Sequence, residues 1–210
     1  MEPICYRRDS KMKFYVEAGA NDGIQQSRSL HLKDDLAYHG IMIEPNPVAF
    51  NKCCKNRDSI NHTFINAALV PFDYEYDGIS LYGRAGSMDP RSLHQSLMGC
   101  VSDSNWIKNE PERFTQEPIY NVKARTLQSI LDELKVKELE YLFLDGEGYE
   151  ASVLKGISKD TIINNCEVEL HDPANHEEEK KQIVTICEEF NLINSETIKN
   201  DGNYKLVFNK

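Results

Sequence analysis

A carboxylate and two glycines directly follow the short apolar segment Phe14–Val16, in the stretch Glu17-Ala18-Gly19-Ala20-Asn21-Asp22-Gly23. Gly19 and Gly23 carry no side chain, so a ligand can approach the backbone closely there. Asn21 stands where the G-x-G-x-x-G fingerprint needs its second glycine, so a pyrophosphate cradle is not predicted. Glu17 would repel a phosphate and attract a cation. The segment predicts a site for a cationic nucleoside ligand such as S-adenosylmethionine; a plain glycine turn is the alternative.

A second carboxylate, Glu44, ends the next short apolar segment. It follows Gly23 by 21 residues, close to the spacing of about 20 at which a carboxylate accepts hydrogen bonds from ribose hydroxyls. Pro45 comes next, so capping of a following helix is the alternative role for Glu44. Asn66, in a third apolar segment, is a candidate for the adenine edge or, equally, a buried amide of the sheet.

Acidic side chains and an imidazole follow two later apolar segments, at Asp145, Glu147, Glu169, His171 and Asp172. Next to a bound cofactor, such groups can deprotonate an acceptor hydroxyl or hold a divalent cation that lowers its pKa. Carboxylates favour Mg²⁺ or Mn²⁺ over softer metals. We therefore predict catalytic roles for Asp145, Glu147, Glu169 and His171, with Asp145 and Asp172 as candidate metal ligands.

Apolar periodicity predicts that strands and helices alternate along the chain. The predicted strands are Phe14–Val16, Ile41–Ile43, His62–Val70, Tyr141–Leu144 and Cys166–Leu170, and the predicted helices are Ser27–Tyr38, Pro47–Arg57, Thr126–Leu134, Tyr149–Ile157 and Glu177–Phe190. Two further segments, Ile193–Lys199 and Tyr204–Asn209, flank an Asp-Gly step typical of a hairpin. This order predicts a single α/β domain with a doubly wound parallel sheet that ends in an antiparallel pair. We expect Glu150 to be a charge in the first turn of a helix, where the helix dipole favours it, and the run Glu177–Lys181 to be the solvated first turn of another helix.

Residues 71–121 interrupt the pattern with glycines and prolines. We interpret them as an insertion on the substrate side, with a hairpin at Tyr74–Tyr82, because long irregular segments in compact domains often bind ligands or act as lids. Its aromatic residues either form a small core or offer faces for a sugar ring. They are Tyr82, Trp106, Phe114 and Tyr120.

Composition and net charge narrow the classes of molecule that this protein is expected to bind. The net charge of −10 disfavours a polyanion such as RNA, so a small-molecule or glycan acceptor is expected and nucleic acid is not. No window approaches the roughly 20 apolar residues of a membrane span. The first residues lack the apolar core of a secretory signal, which predicts a cytoplasmic protein. A monomer and a homodimer are both compatible with these features.

Three regions of the sequence resemble the FkbM family of S-adenosylmethionine-dependent methyltransferases. The matching stretches are VEAGANDGIQQS (Val16–Ser27), IEPNP (Ile43–Pro47) with INAAL (Ile65–Leu69), and FLDGEGYEASVLKGI (Phe143–Ile157). The resemblance implies a class I, Rossmann-like methyltransferase with a seven-stranded doubly wound sheet. It also implies methyl transfer to a hydroxyl group of a sugar or a polyketide.

The resemblance assigns roles to the candidate residues. Glu17, Gly19, Asn21 and Gly23 would contact the methionine part of the cofactor. Glu44 would hold the ribose, and Asn66 with Ala67 the adenine. Ala20, Asp22 and Pro45 complete the candidate cofactor set, and Asp145, Glu147, Glu169 and His171 would face the acceptor. Gly146 departs from the family, which commonly has an apolar residue such as Val there, so the placement of Glu147 depends on how this glycine behaves.

The leading hypothesis is O-methylation of a carbohydrate hydroxyl, for example on a deoxyhexose such as rhamnose, with Mg²⁺ or Mn²⁺ as a candidate assistant. An RNA 2′-O-methyltransferase is the first alternative. It predicts paired catalytic lysines, whereas position 169 holds Glu. A cofactor-binding module without turnover is the second alternative, and the carboxylates at Asp145 and Glu147 argue against it.

Overall fold

A large mixed sheet organises the chain. The computed structural model describes residues 12–57, 60–83, 99–171, 177–200 and 203–210. The strands are β1 (Lys13–Ala18), β2 (Tyr38–Ile43), β3 (His62–Ile65), β4 (Ala68–Leu69), β5 (Gly78–Gly83), β6 (Gly99–Val101), β7 (Tyr120–Arg125), β8 (Glu138–Leu144), β9 (Ile162–His171), β10 (Ile193–Asn200) and β11 (Asn203–Asn209). The helices are α1 (Pro47–Asn56), α2 (Asn105–Asn109), α3 (Leu127–Leu134), α4 (Glu150–Leu154) and α5 (Glu177–Glu189).

The seven strands of this sheet lie in the order β10-β11-β9-β8-β1-β2-β3. Neighbours from β9 to β3 are parallel, and β11 pairs antiparallel with both β9 and β10. The mostly parallel sheet and the antiparallel hairpin at its end are therefore confirmed. From β1 the chain adds β2 and β3 toward one edge of the sheet, and from β8 it adds β9 toward the other edge. The direction of the strand order therefore reverses between β1 and β8. Open α/β sheets bind ligands at such a point, outside the carboxyl ends of the strands.

Local capping explains where two of the helices begin. The side chain of Asn46 accepts hydrogen bonds from the backbone amides of Val48 and Ala49, and Pro47 occupies the first turn of α1. Thr126 accepts from the amide of Ser129 at the start of α3. Both helices begin within a residue of their predicted positions because caps are encoded locally.

The helix predicted over Ser27–Tyr38 is wrong. All of residues 19–37 are described, and their helical structure is a single 3₁₀ turn at Leu30–Leu32. The hydroxyls of Ser27 and Ser29 and the amide of Arg28 donate to the carboxylate of Glu17. Such side-chain bonds compete with the helical pattern. The described helices are consequently fewer than a doubly wound fold would carry.

The predicted third strand, His62–Val70, divides in two. Its first part, β3, belongs to the large sheet, whereas β4 pairs with β7 in a second sheet ordered β4-β7-β5-β6. The predicted hairpin at Tyr74–Tyr82 is also wrong, because that range contributes the single strand β5, which pairs with β6 and β7. In both cases, strand pairing between residues distant in the sequence explains why the structure differs from the prediction.

The segment predicted as an insertion, in its described part, packs partly on itself. Trp106 and Phe114 meet edge to face, with ring centroids 5.8 Å apart, and form a small core with Cys100, against which Tyr82 packs. Tyr120 packs against the main core instead. The small aromatic core is therefore confirmed for three of the four aromatic residues.

One charge of the run Glu177–Lys181 departs from its prediction. Glu177 and Glu178 are exposed on α5, but Glu179 is buried. Its carboxylate accepts from the side-chain amide of Asn105 over 3.0 Å and so ties α5 to α2. None of the described helices is both long and apolar enough to cross a membrane.

Candidate active site

An open cleft lies at the carboxyl ends of β1, β2 and β8, with β4 on one wall. Its empty space, counted out to the open mouth, is about 820 Å³. The candidate residues that line it are Gly19, Asn21, Glu44, Pro45, Ala67, Asp145 and Glu147. The topology thus brings together residues from four separate stretches of sequence.

The floor of the cleft is a close contact between the ends of β1 and β8. Gly19 has φ +83°, and a Cβ added there would lie 2.0 Å from the carbonyl oxygen of Asp145. The amide of Asp145 donates to the carbonyl of Ala18 over 3.0 Å. Only glycine fits this approach, so Gly19 is required by the meeting of two strands as well as by any ligand.

Glu44 is almost fully buried at the end of β2. One carboxylate oxygen accepts from the amide of Asn21 and the other from the amide of Asn46, each over 2.8 Å. Burial raises the pKa of Glu44 to about 7 and the nearby carboxylate of Asp145 adds to the rise, while the two backbone hydrogen bonds oppose it. A carboxylate has about four acceptor positions, so Glu44 retains capacity to accept from a ligand.

Asn21 presents an acceptor in the cleft. It has φ +51°, in the left-handed region that asparagine tolerates better than most residues. Its side-chain oxygen is buried and receives no hydrogen bond from any described residue. A buried acceptor without a donor is costly, which favours a ligand donor, such as an ammonium group, at this position.

Asn66 and Ala67 follow β3, and only Ala67 lines the cleft. The Asn66 side chain donates to the carbonyls of Glu44 and Pro45, over 2.8 and 3.0 Å. This amide braces the end of β2. Asn66 therefore supports the wall from outside and contributes no lining group.

The structure does not bring Glu17, Ala20, Asp22 or Gly23 to the lining of the cleft. Successive side chains of β1 alternate between the two faces of the sheet, so Ala18 faces the cleft and Glu17 faces away. Asp22 accepts from the amides of Ile24 and Gln25, and Ala20 packs in a small apolar cluster. The predicted contact of Glu17 with a cationic ligand is corrected to a structural role.

Arg57 is the buried cation that pairs with Glu17, and no sequence pattern predicts this pairing. This fully buried arginine donates to the carbonyl of Gly23 and to the hydroxyls of Ser27 and Ser29, and it lies 3.5 Å from a carboxylate oxygen of Glu17. The pair replaces a helix as the support of residues 19–29. An arginine at the predicted end of a helix carries no local signal of burial.

The turn after β8 has two residues at positive φ, Glu147 (+53°) and Gly148 (+84°). Glu150 is buried, and its Oε1 accepts from the amides of Gly146 and Gly148 over 2.8 and 3.2 Å. Glu150 lies in the first turn of α4, as predicted, but its carboxylate is bound by the preceding turn and is not exposed to solvent. A Cβ added at Gly146 would meet its nearest atom at 3.4 Å, an ordinary contact.

The remaining candidates lie on β9 or beyond it. Glu169 forms an ion pair with Arg28, whose amide donates to Glu17 over 2.7 Å. His171 is the last residue of β9 and pairs in register with Asn203, but only its backbone is described. Asp172 lies outside the described residues. Within the described ranges, no group of three or more His, Cys, Asp or Glu side chains is arranged to hold a metal ion.

A comparison with protein families matches residues 17–200 to the methyltransferase FkbM domain. The chain belongs to the FkbM methyltransferase family. The matched range contains every candidate site residue, from Glu17 to Asp172. Membership in this family supports a methyltransferase activity. No curated protein matches the sequence.

The Arg57–Glu17 pair predicts a stability effect in this FkbM protein. Arg57→Met keeps most of the volume but leaves the buried Glu17 carboxylate without its cation, so we expect a loss of about 3 kcal/mol in the free energy of unfolding. Chemical denaturation measures the loss, with Lys55→Ala, at an exposed position in the last turn of α1, as the control. Equal effects of the two substitutions would contradict the role of Arg57.

The raised pKa of Glu44 predicts a pH effect. Between the ordinary pKa of 4.5 and the folded value of about 7, the folded protein holds a proton that the unfolded chain has released. The contribution of Glu44 to the free energy of unfolding should therefore fall as the pH rises through this window. Denaturation series at several pH values should show a smaller fall in Glu44→Gln. Identical pH profiles would contradict the perturbed carboxyl.

Proposed function

We propose that this protein transfers a methyl group from S-adenosylmethionine to a hydroxyl of a carbohydrate or glycan. The observation that carries the proposal is the cleft itself, in which the buried carboxylate of Glu44 and the unsatisfied oxygen of Asn21 lie beside the contact between Gly19 and Asp145. Together with family membership, the sheet order supports a class I, Rossmann-like methyltransferase. In this proposal the chain forms one catalytic domain, with residues 71–121 on the acceptor side.

The donor groups of the cofactor match the acceptors in the cleft. Glu44 has room to accept from ribose hydroxyls, and the side-chain oxygen of Asn21 from the ammonium group. Ala67, Leu69 and Val153 line an apolar wall suited to the adenine. These pairings would satisfy the buried acceptors that the folded chain leaves in its cleft.

The chemistry assigned to the protein is alignment and proton removal. The sulfonium supplies an activated methyl group, which moves to the acceptor oxygen while S-adenosylhomocysteine leaves. The hydroxyl proton passes to a carboxylate, and we assign this role to Glu147, with Asp145 beside it, because both line the cleft. Glu169 is paired with Arg28, which makes it a less suitable base. His171 remains a second candidate from its place at the end of β9.

A neutral polyhydroxylated acceptor fits the charge of the protein. At a net charge of −10, an RNA strand would approach against the electrostatic field. Glu169 also stands where the RNA methyltransferase hypothesis requires a lysine. The resemblance that suggests sugars leads us to place a rhamnoside first among the acceptors to test.

Two assays test this proposal. Calorimetry should detect S-adenosylhomocysteine binding to a cofactor-free sample, and labelled cofactor should methylate at least one member of a panel of methyl glycosides that includes a rhamnoside. Glu147→Gln should lower the rate by at least about 100-fold, as expected for loss of a general base, with cofactor affinity retained. The same substitution at the exposed Glu188 is the matched control.

Several outcomes of these assays would contradict the proposal in whole or in part. Absence of cofactor binding would remove the proposed function, and binding without product on any acceptor would favour the module without turnover. Methylation of RNA alone would favour the first alternative. Full activity of Glu147→Gln would show that a residue other than Glu147 is the general base. Loss of activity in EDTA, restored by Mg²⁺ or Mn²⁺, would introduce a metal that the proposal does not include.

A further inference from the structure

We infer that Glu150 is a positioning residue, which presets the turn that carries Glu147 toward the bound cofactor and acceptor. The inference rests on the proposed function for its catalytic meaning. Its structural basis is the pair of hydrogen bonds from the amides of Gly146 and Gly148, which flank Glu147 on either side. A single oxygen of Glu150 thus fixes the backbone both before and after the residue assigned as base.

The backbone between these two amides is in an unfavourable conformation. Glu147 is a non-glycine residue at φ +53°, which costs on the order of 1 kcal/mol unless neighbouring structure compensates. The two hydrogen bonds to buried Glu150 supply such compensation. They also determine the direction in which the side chain of Glu147 leaves the chain.

The carbonyl groups of the same turn are held from the opposite side, by the segment from β6 to α2. The carbonyl of Gly148 accepts from the amide of Asn105 over 2.9 Å, and the carbonyl of Glu147 accepts from the thiol of Cys100 over 3.4 Å. A Cβ added at Gly148 would lie 3.1 Å from the backbone nitrogen of Trp106. Loss of Glu150 would therefore release the amide side of the turn while the carbonyl side stays attached.

The contacts distinguish this role from an ordinary helix-start charge. A first-turn carboxylate stabilises its helix while exposed to solvent. Glu150 is fully buried, and its Oε1 reaches back to residues that precede α4. Its removal should alter the turn more than the helix.

Three substitutions test the inference. Glu150→Ala removes both hydrogen bonds, and Glu150→Asp keeps the charge but shortens the reach. Glu150→Gln keeps an oxygen able to accept from both amides. Exposed Glu188→Ala, on α5, is the matched control for removal of a glutamate.

The first measurement is amide hydrogen exchange by NMR in each variant and the wild type. The amides of Gly146 and Gly148 should exchange faster in Glu150→Ala and Glu150→Asp, and at nearly the wild-type rate in Glu150→Gln and Glu188→Ala. This comparison needs neither cofactor nor acceptor. It decides whether Glu150 holds the turn even if the wild type binds no S-adenosylhomocysteine, a result that would remove the proposed function alone.

The second measurement is the rate of methyl transfer to whichever methyl glycoside the panel identifies, beside calorimetry with S-adenosylhomocysteine. Glu150→Ala and Glu150→Asp should lose about 10- to 100-fold in rate, the scale of a misplaced catalytic group, with a much smaller change in cofactor affinity. Glu150→Gln should recover most of the rate.

Three results would overturn the inference. One is unchanged exchange at Gly146 and Gly148 in Glu150→Ala. Another is a rate loss in Glu150→Gln equal to that in Glu150→Ala, which would assign the effect to the charge. The third is failure of both Glu150→Ala and Glu150→Asp to fold, which would make Glu150 a general determinant of stability.

Discussion

Where β1 and β8 end side by side, the backbone of Gly19 lies against the carbonyl of Asp145, with no room for a Cβ between them. This contact places the first loop and the turn after β8 on either side of one cleft. It also sets Asp145 near enough to Glu44 for the two carboxylates to interact. The site depends on this approach, because its polar groups come from stretches more than 20 residues apart in the chain and meet only where the strands do.

The loop after β1 is supported by a buried polar network in place of a helix. Arg57 and Glu17 would each be costly to bury alone. Together with the hydroxyls of Ser27 and Ser29 they satisfy one another. Arg28 extends the network to Glu169 on β9. Glu17 and Glu169, which the sequence suggests as binding or catalytic residues, therefore support the backbone of this loop and connect it to β9.

The turn after β8 shows how the segment from β6 to α2 contributes to the site. Glu150 binds the amides of the turn, while Asn105 and Cys100 bind its carbonyls. Asn105 is itself tied to α5 through Glu179. This segment therefore shares in holding the residues of the turn that line the cleft.

The sequence by itself determined the features that depend on local chemistry and periodicity. The mostly parallel sheet with its final hairpin, the starts of α1 and α3, and the grouping of Gly19, Glu44, Asp145 and Glu147 at one edge all follow from apolar runs, caps and strand ends. Only the tertiary structure decided which face each charged side chain occupies and which partner it meets. Glu17, Arg57, Glu150 and Glu179 are charged residues whose burial no sequence pattern predicts, yet each is buried. Glu17, Arg57 and Glu179 bind partners that are distant in the sequence, and no local pattern encodes those pairings. Glu150 binds amides only two and four residues before it, in a turn whose backbone is also held by Cys100 and Asn105.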